Sequence, residues 1–146
     1  MKLLVGLLTA ALFFSIPLNA QKWHTDLVTA QEQAQIKGNN ILLVFSGSDW
    51  CAPCIKLDKE VWSTEEFQEL AEGHFVMLKA DFPRKKQNKL SETQQQKNNQ
   101  LAEKYNQQGN FPLVVLLDQQ GSVLGITGYK RATPQEYFHH LTSFEP

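Results

Sequence analysis

The stretch "SDWCAPCIKL", from Ser48 to Leu57, contains the only two cysteines of the chain, Cys51 and Cys54. A tryptophan precedes the first cysteine, and the two residues between the cysteines are alanine and proline. The unbroken apolar run Ile41 to Phe45 comes shortly before them and is typical of a strand buried on both faces. Apolar residues after the second cysteine recur at helical spacing. The cysteine pair is therefore predicted where a buried strand passes into a helix.

Three other uses of a cysteine pair are less favourable than redox chemistry. A c-type haem attachment needs histidine after the second cysteine, but Ile55 stands there. A zinc site needs two further ligands, and the histidines lack the spacing of a second ligand pair. These histidines are His24, His74, His139 and His140. A purely structural disulfide would close so short a loop that it removes little entropy from the unfolded chain. We expect no metal and no organic cofactor.

The spacing itself has a chemical reason in a redox dithiol. Cys51 would lie at a helix N-terminus, where free backbone N–H groups and the helix dipole favour a thiolate. Cys54 would follow one helical turn later, within reach of a disulfide between Cys51 and a substrate. A C-x-x-C motif beside a strand-helix-strand pattern indicates this chemistry.

Length, charge and element order indicate one α/β domain. The chain has 146 residues with 14 basic and 15 acidic side chains, so no basic excess points to nucleic acid. The apolar patterns predict the order helix, strand, helix, strand, helix, strand, strand, helix. A strand-helix-strand unit followed by a strand-strand-helix unit predicts a central mixed β-sheet flanked by helices on both faces.

The N-terminus has the pattern of a secretory signal peptide. Lys2 is followed by the apolar run Leu3 to Ile16, which is shorter than the ~20 residues of a membrane-spanning helix. We expect cleavage after Ala20, which separates a signal peptide over residues 1–20 from a mature domain over residues 21–146; an uncleaved anchor is the alternative. The expected location is periplasmic or otherwise outside the cytoplasm, where thiol pairs are exchanged by dedicated proteins.

Several local features are predicted in addition. A first helix is expected from Asp26 to Lys37, and a capping box of Ser63 and Glu66 is expected to start a later helix. The Lys, Gln and Asn-rich stretch Asp81 to Gln100 is expected to be a solvated loop. Its second half has helical signals that begin with a cap at Ser91.

The motifs together resemble the thioredoxin superfamily. "WCAPC" resembles the "WCGPC" of thioredoxins, and "FPLVVLLDQQGSV" resembles their proline-strand-turn-strand segment. "FSGSDWCAPCIKLDKEVWSTEEF" and "KADFPRKK" resemble exported bacterial thioredoxin-like proteins of the thiol:disulfide interchange type. The resemblance covers nearly all of the mature chain, and it implies the thioredoxin fold.

The resemblance also assigns roles to residues. It implies that Cys51 is the nucleophile, that Cys54 is the resolving cysteine, and that Pro112 is the cis-proline beside the active site. In this family the backbone before that proline pairs with an extended substrate peptide, so Phe111 is a candidate substrate contact. Trp50 resembles the tryptophan that flanks the thiols; packing in the core is its alternative role.

Acidic residues near the cysteines depart from the thioredoxin pattern. Thioredoxins have a buried aspartate six residues before the first cysteine, whereas this chain has Phe45 there. Asp58 lies seven residues after Cys51, about two helical turns on, at a position where interchange proteins carry an acid. It is a candidate proton relay, with a solvated helix charge as the alternative. Asp49 could cap the helix or raise the pKa of Cys51, or be an exposed loop carboxylate.

These features predict an exported thiol-disulfide oxidoreductase that reduces or exchanges protein disulfides. Its expected partners are protein disulfide substrates and a dithiol electron donor or acceptor, which in the reducing direction would be membrane-bound. The likeness to "WCGPC" favours a reductant over a disulfide oxidase or isomerase. An alternative from another class is a non-enzymatic module that binds extended peptides in the same groove.

Overall fold

The computed structural model describes residues 21–146 of the chain. The predicted signal peptide over residues 1–20 and its cleavage after Ala20 lie outside the described residues. Within residues 21–146, no helix combines the length and the apolar character that crossing a membrane requires.

Ten helices and strands form the described domain. They are β1 (Trp23–His24), α1 (Leu27–Lys37), β2 (Asn40–Ser46), α2 (Ala52–Leu57), α3 (Glu65–Ala71), β3 (Phe75–Asp81), α4 (Glu92–Tyr105), β4 (Leu113–Leu117), β5 (Val123–Thr127) and α5 (Pro134–Thr142). Their order agrees with the predicted order, except that a short strand precedes the first helix and the second predicted helix is divided into α2 and α3. A π-helical turn (Asp58–Trp62) continues α2, and a 3₁₀ turn (Lys86–Asn88) precedes α4.

The five strands form one mixed sheet in the order β1-β3-β2-β4-β5. The pairs β1–β3 and β3–β2 are parallel, whereas β2–β4 and β4–β5 are antiparallel. Strand β2 is central, which explains its unbroken apolar sequence, because both of its faces are covered. The predicted α/β thioredoxin fold is confirmed.

Side chains of β2 alternate between two cores, one on each face of the sheet. Leu42 and Val44 pack with the side of the molecule that carries α2, α3 and α5. Ile41, Leu43 and Phe45 pack with the side that carries α1 and α4. The predicted placement of helices on both faces of the sheet is therefore correct, and the cysteines follow the most buried strand.

The start of α3 differs from the prediction. Thr64 caps this helix by accepting the backbone N–H of Phe67, so the predicted capping box of Ser63 and Glu66 is wrong. The reason is the π-helical turn, which continues the preceding helix to Trp62. The hydroxyl of Ser63 is left to donate to the Asp58 carboxylate at 3.0 Å.

The polar stretch Asp81 to Gln100 is a loop only in its first half. Helix α4 begins after Ser91, whose hydroxyl accepts the backbone N–H of Gln94, as the helical signals in its second half indicated. Asn98 is buried on this helix and donates its amide to the Asp81 carbonyl at 2.8 Å. The helix thereby packs on the end of β3, and the prediction of a solvated loop holds only for residues 82–91.

Candidate active site

The two cysteines lie where β2 ends and α2 begins. They form a disulfide, and the side chains of Cys51 and Cys54 are only 4% and 3% exposed. Cys51 is the N-cap of α2, and its sulfur accepts the backbone N–H of Cys54 at 3.3 Å. After reduction, this N–H and the helix dipole would stabilise negative charge on Cys51 more than on Cys54. The geometry therefore distinguishes the two sulfurs chemically.

The peptide bond between Phe111 and Pro112 is cis, and it lies beside the cysteines. Pro112 and Cys54 line the same cavity, which has a volume of about 120 Å³. Asp58 and Lys79 also line it, so a carboxylate and a lysine side chain share this cavity with the second cysteine. Of the residues singled out in the sequence, Cys54, Asp58 and Pro112 are thus brought together around this cavity.

Trp50 lies between the proline segment and the loop that follows β3. Its indole N–H donates to the Phe82 carbonyl at 2.7 Å, and its ring meets Phe111 edge-on with centroids 5.5 Å apart. The guanidinium carbon of Arg84 is 3.6 Å from the centroid of the indole ring. A β-carbon on Gly47 would collide with the indole, so glycine is required there. Trp50 is half-buried and belongs to the surface around the cysteines rather than to the main core.

Asp49 does not cap α2, because Cys51 occupies the cap position. Its carboxylate instead accepts the backbone N–H groups of Arg84 and Lys85 at 2.9 and 3.0 Å, and the side-chain amide of Asn88 at 3.0 Å. These hydrogen bonds, that of Arg84 first, hold the pKa of Asp49 below its usual value. The interpretation of Asp49 as a helix cap is wrong, and the residue instead anchors the loop after β3.

Three contact residues on that side of the site were not singled out from the sequence. Asp81 accepts the backbone N–H and the hydroxyl of Ser48, and Phe82 and Arg84 contact Trp50. Their only sequence signal is the "KADFPRKK" motif, because they lie more than thirty residues from the cysteine loop that they contact. Sequence spacing gives no indication of contacts at such separation.

Tyr137 supports the other side of the proline segment. Its buried hydroxyl donates to the Gly128 carbonyl at 2.7 Å. Gly128 packs so closely that a β-carbon there would lie 3.2 Å from the carbonyl oxygen of Pro112. Burial raises the pKa of the Tyr137 phenol well above its ordinary value.

We expect Tyr137→Phe to lower the free energy of unfolding by about 1–2 kcal/mol at neutral pH, because the half-buried Gly128 carbonyl loses its donor. The folded state favours the neutral phenol of Tyr137. The contribution of this side chain to the free energy of unfolding is therefore complete below the unfolded-state pKa of about 10, and it declines as the pH rises above that value. Urea unfolding from about pH 8 to about pH 11 measures both effects. The variant should lose less stability over this range than the parent protein, and equal losses would contradict the assignment.

Comparison with known proteins agrees with this architecture. The family described as thioredoxin-like domain matches residues 27–144. The chain belongs to the thioredoxin-like family. It is 38% identical over 114 residues to the disulfide bond reductase DsbH of Chlamydia pneumoniae, a match that covers 78% of this chain and 67% of that protein. The predicted membership of the thioredoxin superfamily is therefore confirmed.

Solved structures extend the comparison to three dimensions. A structure titled DsbH oxidoreductase superposes with a TM-score of 0.78 at 31% identity, covering 93% of both chains. A disulphide isomerase from Xylella fastidiosa Temecula1 superposes with a TM-score of 0.59 at 22% identity, over 93% of this chain and all of the other. The second similarity concerns the fold alone. With its C-x-x-C pair in place, this thioredoxin-like protein is a thiol-disulfide oxidoreductase.

Proposed function

We propose that this thioredoxin-like protein reduces disulfide bonds of exported proteins, with Cys51 as the nucleophile and Cys54 as the resolving cysteine. The observation that carries the assignment is the position of Cys51 as N-cap of α2, with the N–H of Cys54 on its sulfur. The 38% sequence identity to a protein named disulfide bond reductase supports electron transfer from this protein to its substrate.

The reaction transfers two electrons from the protein dithiol to the substrate. The Cys51 thiolate attacks one sulfur of the substrate disulfide, whose other sulfur leaves as a thiolate and takes up a proton. Cys54 then loses its proton and attacks the Cys51 sulfur, which releases the second substrate thiol. The protein is left with the Cys51–Cys54 disulfide found in the structure.

Asp58 is proposed to accept the proton of Cys54 in the second step. Support comes from the cavity that both residues line together with Lys79. The hydroxyl of Ser63 holds the Asp58 carboxylate by a hydrogen bond of 3.0 Å. Phe45, which stands where thioredoxins carry a buried aspartate, cannot accept a proton and packs in the core on the opposite face of the sheet.

Asp58→Asn should slow the attack of Cys54 on the mixed disulfide by about tenfold or more, because a positioned general base is lost. Rapid-quench single-turnover experiments measure this step separately from the first attack. Glu66→Gln is a matched control, since it neutralises an exposed acid in α3. Equal single-turnover rates for Asp58→Asn and the parent protein would leave Asp58 as a surface charge.

Substrate binding is proposed at the groove beside the cis-proline. The backbone of Phe111 and Pro112 would pair with an extended stretch of the substrate, in the manner of strand addition. Trp50 packs against the Phe111 ring and would form the wall of this groove next to Cys51. These three residues are the proposed substrate contacts.

Export and recycling complete the proposal. Residues 1–20 are proposed to act as a signal peptide, which leaves residues 21–146 as the mature domain in the periplasm or another compartment outside the cytoplasm. Electrons would come from a second dithiol protein by the same exchange reaction, and in an oxidising compartment this donor must draw them across the membrane. Every step of this proposed cycle is an exchange between a thiol and a disulfide, so it needs no metal and no organic cofactor.

The reduction potential of the Cys51–Cys54 pair tests the direction of electron flow. We expect a value near the ~−270 mV of thioredoxin rather than the ~−120 mV of a strong oxidant. Equilibration of residues 21–146 with dithiothreitol or glutathione buffers, followed by counting of free thiols, gives this value. A potential near the oxidising end of this range would instead indicate a disulfide oxidase or isomerase.

A further inference from the structure

A strongly basic loop borders the cysteines. Residues 82–91, "FPRKKQNKLS", contain four basic side chains and no acidic one, although the whole chain has a formal net charge of −1. The basic residues are Arg84, Lys85, Lys86 and Lys89, and all four are exposed. We call residues 82–91 the basic loop. Its charge is therefore a local feature of this side of the active site.

The basic loop is held against the cysteine loop by several hydrogen bonds. The Asp49 carboxylate accepts two of its backbone N–H groups and the side-chain amide of Asn88. The Trp50 indole donates to the carbonyl of Phe82. Among residues 21–146, Asp49 forms no ion pair within 4 Å with the lysines of the loop, although the charge of Lys85 contributes to its lowered pKa. The basic side chains thus lie on a loop that is attached to Asp49 and Trp50, the two residues before Cys51.

Arg84 has the most specific geometry in the basic loop. Its guanidinium carbon lies 3.6 Å from the centroid of the Trp50 ring. Trp50 is the residue that directly precedes Cys51, the proposed nucleophile. Within the described part of the chain, the guanidinium has neither a carboxylate partner nor a hydrogen-bond acceptor. A stacked guanidinium keeps its N–H groups at the edge of the plane, where they can bind a carboxylate through two hydrogen bonds.

We propose that the basic loop binds acidic side chains of the substrate polypeptide next to its disulfide, with Arg84 as the principal contact. This inference rests on the proposed function, because the acidic residue is presented to Arg84 when the substrate sulfur approaches Cys51. The lysines of the loop add a long-range attraction that is screened by salt. The proposed substrate class is therefore disulfide-bonded protein segments with Asp or Glu near the cysteine.

Peptide substrates of equal length test this preference. Three peptides would carry the same disulfide flanked by glutamate, glutamine or lysine. We expect kcat/KM to be about three- to tenfold higher for the glutamate peptide than for the lysine peptide at low ionic strength. The difference should lie mainly in KM, and should shrink at about 0.5 M salt. Equal kcat/KM values for the three peptides would overturn the inference.

Variants assign the preference to the loop. Arg84→Gln should remove most of the difference in kcat/KM between the glutamate and lysine peptides, and Arg84→Glu should favour the lysine peptide. Lys37→Gln is the matched control, because Lys37 is also an exposed cation. It ends α1 just before the first residue of β2, whereas the cysteines come after the last residue of that strand. Loss of the preference in Lys37→Gln to the same extent as in Arg84→Gln would contradict a specific site.

A binding experiment separates this inference from the proposed function. Serine analogues of the three peptides would be titrated into the Cys51→Ser protein, with fluorescence anisotropy as the readout. If no peptide disulfide is reduced, the proposed function fails, but tighter binding of the glutamate analogue still supports the basic loop as an acidic-segment site. Equal affinities, or a preference for anionic lipid vesicles over all three analogues, would overturn it.

Discussion

Replacement of Cys51 by serine should abolish disulfide reduction, lowering turnover by about 10³-fold or more, because the attacking thiolate is removed from the N-terminus of α2. The fold should persist, since the disulfide closes a loop with a sequence separation of only three residues and such a loop contributes little chain entropy. Insulin reduction measures the activity, and circular dichroism with urea unfolding measures the fold.

Cys54→Ser is the informative partner of this variant. It should also lose turnover, but the first attack remains, so a mixed disulfide between Cys51 and the substrate should accumulate. Mass spectrometry under non-reducing conditions detects this species, which the Cys51→Ser protein cannot form. If the parent protein reduced no insulin and both variants kept its affinity for an extended peptide, the peptide-binding module would be the better assignment. A marked loss of stability on Cys54→Ala with unchanged turnover would instead indicate a structural disulfide.

The position of the cysteines could be predicted because it depends on local sequence. The apolar run of β2 and the helical spacing after Cys54 are each contained in a few residues, so a strand followed by a helix was evident. The resemblance then gave the opposite side of the site, Phe111 and Pro112, which lies some sixty residues away. Local pattern and family resemblance thus supplied different parts of the same site.

The contacts of the basic loop could not be predicted in this way. Whether Asp49 caps the helix or binds the backbone of Arg84 depends on how the β3–α4 connection folds back over the cysteine loop. Both arrangements satisfy the same carboxylate, so the sequence of residues 48–51 is compatible with either. The cap of α3 was missed for a similar reason, because a π-helical turn shifts the helix start from Ser63 to Thr64 without a distinct sequence signal.

Trp62→Ala should lower the free energy of unfolding by about 3–5 kcal/mol, more than Tyr137→Phe, because it leaves a large cavity in the core. The side chain is 3% exposed and meets three aromatic rings edge-on. These rings belong to Trp23, Phe67 and Tyr137, with centroid distances of 6.3, 4.9 and 5.3 Å. Urea unfolding measures the loss.

Ile36→Ala is the control for this prediction, because Ile36 is 77% exposed on α1 and its truncation should change stability by only about 0.5 kcal/mol.

Trp62 also ends the π-helical turn that begins at Asp58, and it lines the cavity behind Cys54. The folded fraction of Trp62→Ala should therefore show a slower attack of Cys54 in single-turnover experiments, as we expect for Asp58→Asn. A loss below about 1 kcal/mol would contradict a core role for Trp62. A large loss of stability with normal Cys54 attack would instead mean that Trp62 supports the fold but does not position Asp58.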